Sequence, residues 1–163
     1  LIVTDKAAMQ FMGDWAKGLF DAAGKLAMQD YLCVSVPESK GLYSYNIDSF
    51  VFFEKFNLQA TNYVQFIFAK TLLSKRFQGE FNISKGSIPV RNDINMAGFD
   101  ACAQRSYRDF KNDQLVPSFT QKLATNSQLQ NIMTRIISNY FNDPNASATE
   151  AVKRLSLAIR AVK

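Results

Sequence analysis

The sequence predicts a helix-rich α/β fold with few strands, and three observations predict it. Apolar side chains recur at helical spacing through most of the chain. Only two or three short stretches carry the aromatic and β-branched content of a strand between turn residues. Hydrophobic residues make up 47% and charged residues 20% of the 163, a balance that buries a core rather than leaving the chain disordered.

Taken in order, residues 7–28 carry Ala8, Met9, Phe11, Met12, Trp15, Leu19, Phe20 and Ala23 at spacing compatible with a helix, which Gly13, Gly18 and Gly24 break into shorter pieces. Residues 31–36 read as a strand stopped by Pro37, and 38–41 as a turn. Residues 42–53 read as a second extended segment, alternating through Tyr43, Tyr45 and Ile47 and then continuous as in a buried strand. From Asn57, a plausible N-cap, to Lys75 the pattern is helical, and Tyr63, Val64, Phe66, Ile67, Phe68, Leu72 and Leu73 cover more than one face, predicting a largely buried helix. Phe77 and Phe81 suggest a short continuation, 86–90 an irregular connector, and 99–110 an amphipathic helix. Residues 115–119 form a loop or short strand, because the residue before Pro117 is pushed out of the α region.

Leu129, Ile132, Met133, Ile136, Ile137, Tyr140 and Phe141 mark a helix, broken by 142–145. Ser147 and Glu150 form a capping-box pattern opening a last helix whose inner face is Val152, Leu155, Ile159 and Val162. No linker and no repeat stands out, so 1–163 reads as a single unit. Two or three strands make a poor sheet on their own, which suggests an α/β sheet with part of it missing. The chain opens Leu-Ile-Val-Thr rather than with Met and shows no signal segment, so it reads as processed or as a piece of something larger.

Composition also excludes chemistry. There is no His, which removes His-based nucleophilic and metal mechanisms, and two Cys are too few for a four-cysteine zinc site. No cofactor and no metal site is expected. No apolar run approaches the ~20 residues of a bilayer span. The formal charge is +5, but Lys and Arg are dispersed, with Lys75-Arg76 and Lys153-Arg154 the densest pairs, and the 14 Phe and 6 Tyr sit in apolar runs that suggest core. A nucleic-acid partner is therefore not expected. A glycosidase would need paired carboxylates, and Asp48 and Glu54 are separated by an apolar run, so no enzyme is expected.

Several short motifs stand in one order: Ala7-Ala-Met-Gln-Phe-Met-Gly-Asp-Trp-Ala16, Val36-Pro37, Asn46-Ile-Asp-Ser-Phe50, Ala69-Lys-Thr-Leu72, Lys85-Gly-Ser-Ile-Pro-Val-Arg91, Phe99-Asp-Ala-Cys-Ala-Gln104 and Val116-Pro-Ser118. In that order and spacing the chain resembles the extracellular solute-binding proteins of bacterial carbohydrate ABC transporters (family 1), especially the glucose/mannose-binding branch, over their C-terminal portion only. The resemblance implies the later part of a two-lobe, periplasmic-binding-protein-like (type II) fold without its N-terminal lobe. It also implies hexose binding in an interlobe cleft that closes by hinge motion, delivery to the membrane permease subunits of an ABC importer, and a periplasmic or other extracytoplasmic location.

For the ligand it implies Trp15, Asn46, Asp48, Lys85 and Gln121. Trp15 would stack on the sugar, or else be a core Trp beside a helix start. Asn46 and Asp48, two apart on a strand, would share a face and meet neighbouring hydroxyls, or else satisfy local backbone; the resemblance favours ligand for Asp48. Lys85 would donate to the sugar, although outside its motif it would read as an exposed loop lysine. Gln121 stands where the family often has His, which weakens any reading as glucose in particular. The family's oxidising compartment would allow Cys33 and Cys102 to pair, but two small buried hydrophobes is the preferred reading. The alternative function is a truncated, non-binding interaction or oligomerisation module, with a homo-oligomer formed through exposed strand edges. Asn82 and Asn145 match a glycosylation pattern that a bacterial chain would not normally use.

Overall fold

A computed structural model describes residues 2–53 and 59–161, and the backbone alone at 59–61. Six helices and two short strands follow one another: α1 (Ala16–Ala22), β1 (Leu42–Tyr45), α2 (Gln59–Leu72), α3 (Lys75–Lys85), α4 (Ala101–Asn112), β2 (Gln114–Pro117), α5 (Ser127–Asn142) and α6 (Ala148–Ala161). The structure is thus helix-rich with a two-stranded sheet. Where the sequence counts one unit, the packing groups the chain into two: Leu1–Gly41 with Ser49–Gln114, and Leu42–Asp48 with Leu115–Lys163. Neither is continuous in sequence, so no linker composition marks the division.

In the first unit the helix expected over 7–28 shrinks to α1. Residues 8–12 are irregular, and Gly24, at φ +71°, ends the helix while the Lys25 N–H bonds the Phe20 carbonyl at 2.9 Å. Gly18 does not break the helix; it lies inside it, where α1 meets α3. A Cβ there would stand 2.9 Å from the Lys85 carbonyl oxygen and 3.1 Å from that of Ser84. Gly86 is the reciprocal case. It caps α3 in the left-handed region at φ +84°, and a Cβ would stand 2.8 Å from the Gly18 nitrogen.

The strand expected at 31–36 does not form; an isolated bridge from Tyr31 to Ala27 is its one ladder contact. Side chains replace the missing ladder. Cys33 and Cys102 are joined in a disulfide, with Cα atoms 5.6 Å apart, which corrects the reading of them as two free buried hydrophobes. The Arg105 guanidinium donates to the Cys33 carbonyl at 2.9 Å and to Ser35 Oγ at 3.1 Å, so this extended chain is fastened to α4 rather than to a sheet.

The second extended segment is also corrected: the strand stops at Tyr45 and 46–53 is irregular. Phe50 and Phe52 meet the ring of Phe68 edge-on, at 6.2 and 6.1 Å between centroids, and Gln65 Nε2 donates to the Phe53 carbonyl at 3.0 Å. This patch is not a core. Phe53 is 79% exposed and Phe66 62%, and Val51, Tyr63, Val64, Ile67 and Phe68 are exposed as well, so α2 is not the buried helix that its composition predicts; Leu72 alone among those apolar residues is buried. The expected N-cap Asn57 lies outside the described residues.

Helix α3 is a separate helix rather than a continuation, because Ser74 caps it, Oγ accepting from the Phe77 N–H at 3.2 Å. Its buried amides strap down the connector that follows. Gln78 Oε1 accepts from the Val90 N–H at 3.1 Å, and Asn82 Oδ1 accepts from Ser87 Oγ at 2.7 Å. Asn82 is buried with its amide committed to the Gln78 carbonyl, which leaves no room for a glycan there. Helix α4 begins on Asp100, whose Oδ1 accepts from the Ala103 N–H at 2.9 Å.

Strands β1 and β2 run parallel: the Gln114 N–H bonds the Gly41 carbonyl and, four residues on, the Ser118 N–H bonds the Tyr45 carbonyl, each at 2.9 Å. Helices α5 and α6 form a hairpin. Asn126 caps α5, accepting from the Leu129 N–H at 2.9 Å, and Ser147 Oγ accepts from the Glu150 N–H at 3.4 Å, half of the expected capping box. Leu129 and Ile136 are the buried residues of α5, and Val162 of the expected α6 face lies outside the described residues.

Candidate functional site

Trp15 and Lys85 both belong to the junction of α1 with the C-terminal end of α3 in the first unit. Trp15 occupies the N-cap position of α1 and is 38% exposed. Its ring lies over Gly13 so closely that a Cβ on that residue would overlap the ring's far edge. Trp15 stands beside a helix start, as the core reading of this Trp has it, and reaches water, as the stacking reading needs. Lys85 is the last residue of α3, with its ammonium 5.9 Å from the Phe81 ring centroid, in a position set by the cap at Gly86.

Beneath these two residues lies a polar network that the sequence did not single out. Lys17 is 6% exposed and its ammonium makes 2.8 Å ion pairs with both Asp21 and Asp100, plus a bond to the Ile83 carbonyl at 3.3 Å. One cation thereby ties α1, α3 and the start of α4, and its burial is tolerated because each N–H direction finds an oxygen. Asp14 is the second member. Its Oδ2 accepts from Ser106 Oγ of α4 at 3.0 Å, and burial pushes its carboxyl above the ordinary range, opposed by the Ser106 hydroxyl, the Trp15 N–H and the positive charge of Lys85. Gly18 and Gly86, the residues that let the backbones touch, were the available sequence signal for this junction. Gly18 read there only as a break and Gly86 only as the start of a connector.

The remaining expected residues lie in the second unit. Asn46 and Asp48 follow the end of β1 rather than lying on a strand, yet their side chains do meet: Asn46 Nδ2 donates to Asp48 Oδ1 at 3.2 Å. Gln121 is exposed on the turn after β2. Its N–H reaches Ser118 Oγ at 3.4 Å, Ser118 accepts from the Leu123 N–H at 3.0 Å, and Gln130 donates to the Thr120 carbonyl at 2.8 Å. A groove of about 440 Å³ between α5 and α6, lined by Ile132, Arg135, Asn139, Arg154 and Leu157, includes none of these residues. Taken separately, the first unit offers an aromatic face and an ammonium, and the second a carboxylate and two amides, groups of the kinds that bind C–H faces and hydroxyls. Among the described residues no cluster of His, Cys, Asp and Glu could hold a metal ion, and no helix is long and apolar enough to cross a membrane.

No protein-family model matches the chain. Relatives do. The chain is 34% identical over its whole length to a "Probable sugar-binding periplasmic protein" of Brucella melitensis, spanning 39% of that protein. It is 30% identical over 95% of its length to an "Uncharacterized ABC transporter extracellular-binding protein" of Pyrococcus horikoshii, spanning 35% of it. It is 26% identical over 71% of its length to a "Xylose/arabinose-binding protein" of Haloferax volcanii, spanning 25% of it. The chain therefore spans about two fifths of the curated relatives it matches along its full length, and these relatives are named as binding proteins.

Proposed function

We propose that this chain is the C-terminal portion of a carbohydrate-binding protein that serves an ABC importer outside the cytoplasm. The full-length match to proteins named as sugar-binding and periplasmic carries this reading. The site chemistry supports it. Trp15 supplies a stacking face, Lys85 donates to a hydroxyl, and the joined Asn46–Asp48 pair and Gln121 supply donors and acceptors from the second unit. In the finer form of the proposal the fold is the later part of a two-lobe type II binding protein of the glucose/mannose-binding branch. A hexose is held in an interlobe cleft that closes by hinge motion, and permease subunits are the partners. The protein binds and does not catalyse.

Calorimetry of the intact protein, both lobes present, with glucose, mannose, galactose, xylose and arabinose tests the proposal. Binding of a hexose, weakened about tenfold or more (about 1.4 kcal/mol) by Trp15→Ala, is the expected outcome. Binding of the pentoses alone overturns the hexose assignment, and no heat with any sugar at about millimolar concentration (about 4 kcal/mol of affinity) overturns the function.

A second reading, an interaction or oligomerisation module, is favoured by one observation: the apolar face made by 50–53 and α2 stands open to water. A concentration-dependent mass in light scattering, with no sugar binding, is the result that would favour it.

A further inference from the structure

The carboxylate of Asp14 has no part in the ligand set above, yet it sits where the two ligand candidates of the first unit are built. It precedes Trp15 in the chain. Its carbonyl oxygen lies 3.1 Å from where a Gly86 Cβ would stand, against the residue that follows Lys85. Its side chain accepts from Ser106 of α4 at 3.0 Å. It is thus the one carboxylate of the junction bonded to a neutral hydroxyl, whereas Asp21 and Asp100 are both ion-paired to Lys17. The charged groups around it are few. Lys85 faces it from α3, Lys17 with Asp21 lies one turn on along α1, and Asp100 opens α4 on the Lys17 ammonium. Further along α4, Arg105 is occupied by Asp109 at 3.5 Å and by the Cys33 carbonyl.

We propose that Asp14 is a positioning residue of the carbohydrate site: as a carboxylate held by Ser106 and facing Lys85, it fixes the start of α1 and the end of α3, so that sugar affinity falls when it takes up a proton. This inference rests on the sugar-binding reading above. Burial raises the Asp14 carboxyl above its ordinary value, while Ser106, the Trp15 N–H and Lys85 pull it back. The signs follow. Affinity is full at neutral pH and falls with pH through the titration of Asp14; removing the Ser106 hydroxyl or the Lys85 charge moves that fall to higher pH. Because the folded state raises this carboxyl, the charge is a cost to stability at neutral pH. Asp14→Asn, whose amide oxygen still accepts from Ser106, is expected to be at least as stable as the parent chain while binding sugar more weakly, which a merely structural role would not produce.

Trp15 is the sole Trp, so its emission reports this junction alone. The experiment follows Trp15 emission of the full chain from about pH 7.5 to about pH 4 and measures glucose affinity by calorimetry at both ends. The expected result is one emission transition above the ordinary carboxylate range and a roughly tenfold loss of affinity across it. The transition should be absent in Asp14→Asn and displaced upward in Ser106→Ala and Lys85→Gln. A transition that persists in Asp14→Asn, or an affinity that holds across it, overturns the role of Asp14. Absence of glucose binding at every pH, with the emission transition intact, overturns the sugar site and with it the positioning role, while leaving the coupling of Asp14 to Trp15 established.

Discussion

Two regions of the first unit are built on opposite principles. At the α1–α3–α4 junction buried polar groups are answered, Lys17 by two carboxylates and a carbonyl and Asp14 by Ser106, and the backbones pass closely at Gly18 and Gly86. In the patch made by 50–53 and α2, the rings of Phe50 and Phe52 meet that of Phe68 while most of the apolar side chains stand exposed. The difference teaches that beside Trp15 and Lys85 this chain supplies its own polar partners, while among the described residues the apolar face of 50–53 and α2 stands open.

The comparison can be broken at several points. The largest effect is expected from the disulfide, which closes a loop of 69 residues within the first unit: Cys33→Ser with Cys102→Ser should cost about 4 kcal/mol in urea unfolding, by the chain-entropy relation. A loss below about 1 kcal/mol would mean that Arg105 and the junction suffice to hold 31–36. Next comes Lys17→Ala, which strands Asp21 and Asp100 and should cost about 3 kcal/mol. Gly18→Ala should cost about 1–3 kcal/mol by pushing α1 off the Lys85 carbonyl, with a shift in Trp15 emission as its second sign.

Phe66→Ser is the converse test. On the exposed face it should change stability by less than about 0.5 kcal/mol and reduce self-association in sedimentation; a large loss of stability would show that the face is buried in solution. The smallest effect belongs to the Arg91–Asp93–Lys75 group on the surface. The two cations hold the Asp93 carboxyl well below its ordinary 3.8, so its contribution is present above that value and is lost as pH falls through the depressed one. An Asp93→Asn chain should therefore differ from the parent at neutral pH and converge with it in strong acid, as read by thermal unfolding.

How much of this the sequence disclosed varied with the kind of signal. Helices α5 and α6 were legible because an apolar face at helical period and a cap are local facts. The strand expected at 31–36 was misread because β-branched composition reports an extended chain and not its partner, here Arg105 and a disulfide from about seventy residues away. Burial of α2 was misread because aromatic content shows what a surface could bury and not what covers it, and among the described residues the rings of Phe50 and Phe52 leave most of that face exposed. Of the candidate site, Trp15 and Lys85 came through motifs. Lys17 and Asp14 stayed hidden, since a lone Lys or Asp in a helical stretch usually faces water.

The parallel pairing of β1 with β2 carries a consequence for how the chain is made. Leu42–Tyr45 leaves the ribosome about seventy residues ahead of Gln114–Pro117. At ordinary translation speeds of about 5–20 residues per second, the first strand waits roughly 4–14 s for its mate. During that interval the backbone N–H and C=O groups of β1 that face β2 have only water as their partner. The ladder is thus a late, non-local pairing, slowed by the same loop-closure cost that slows any parallel sheet.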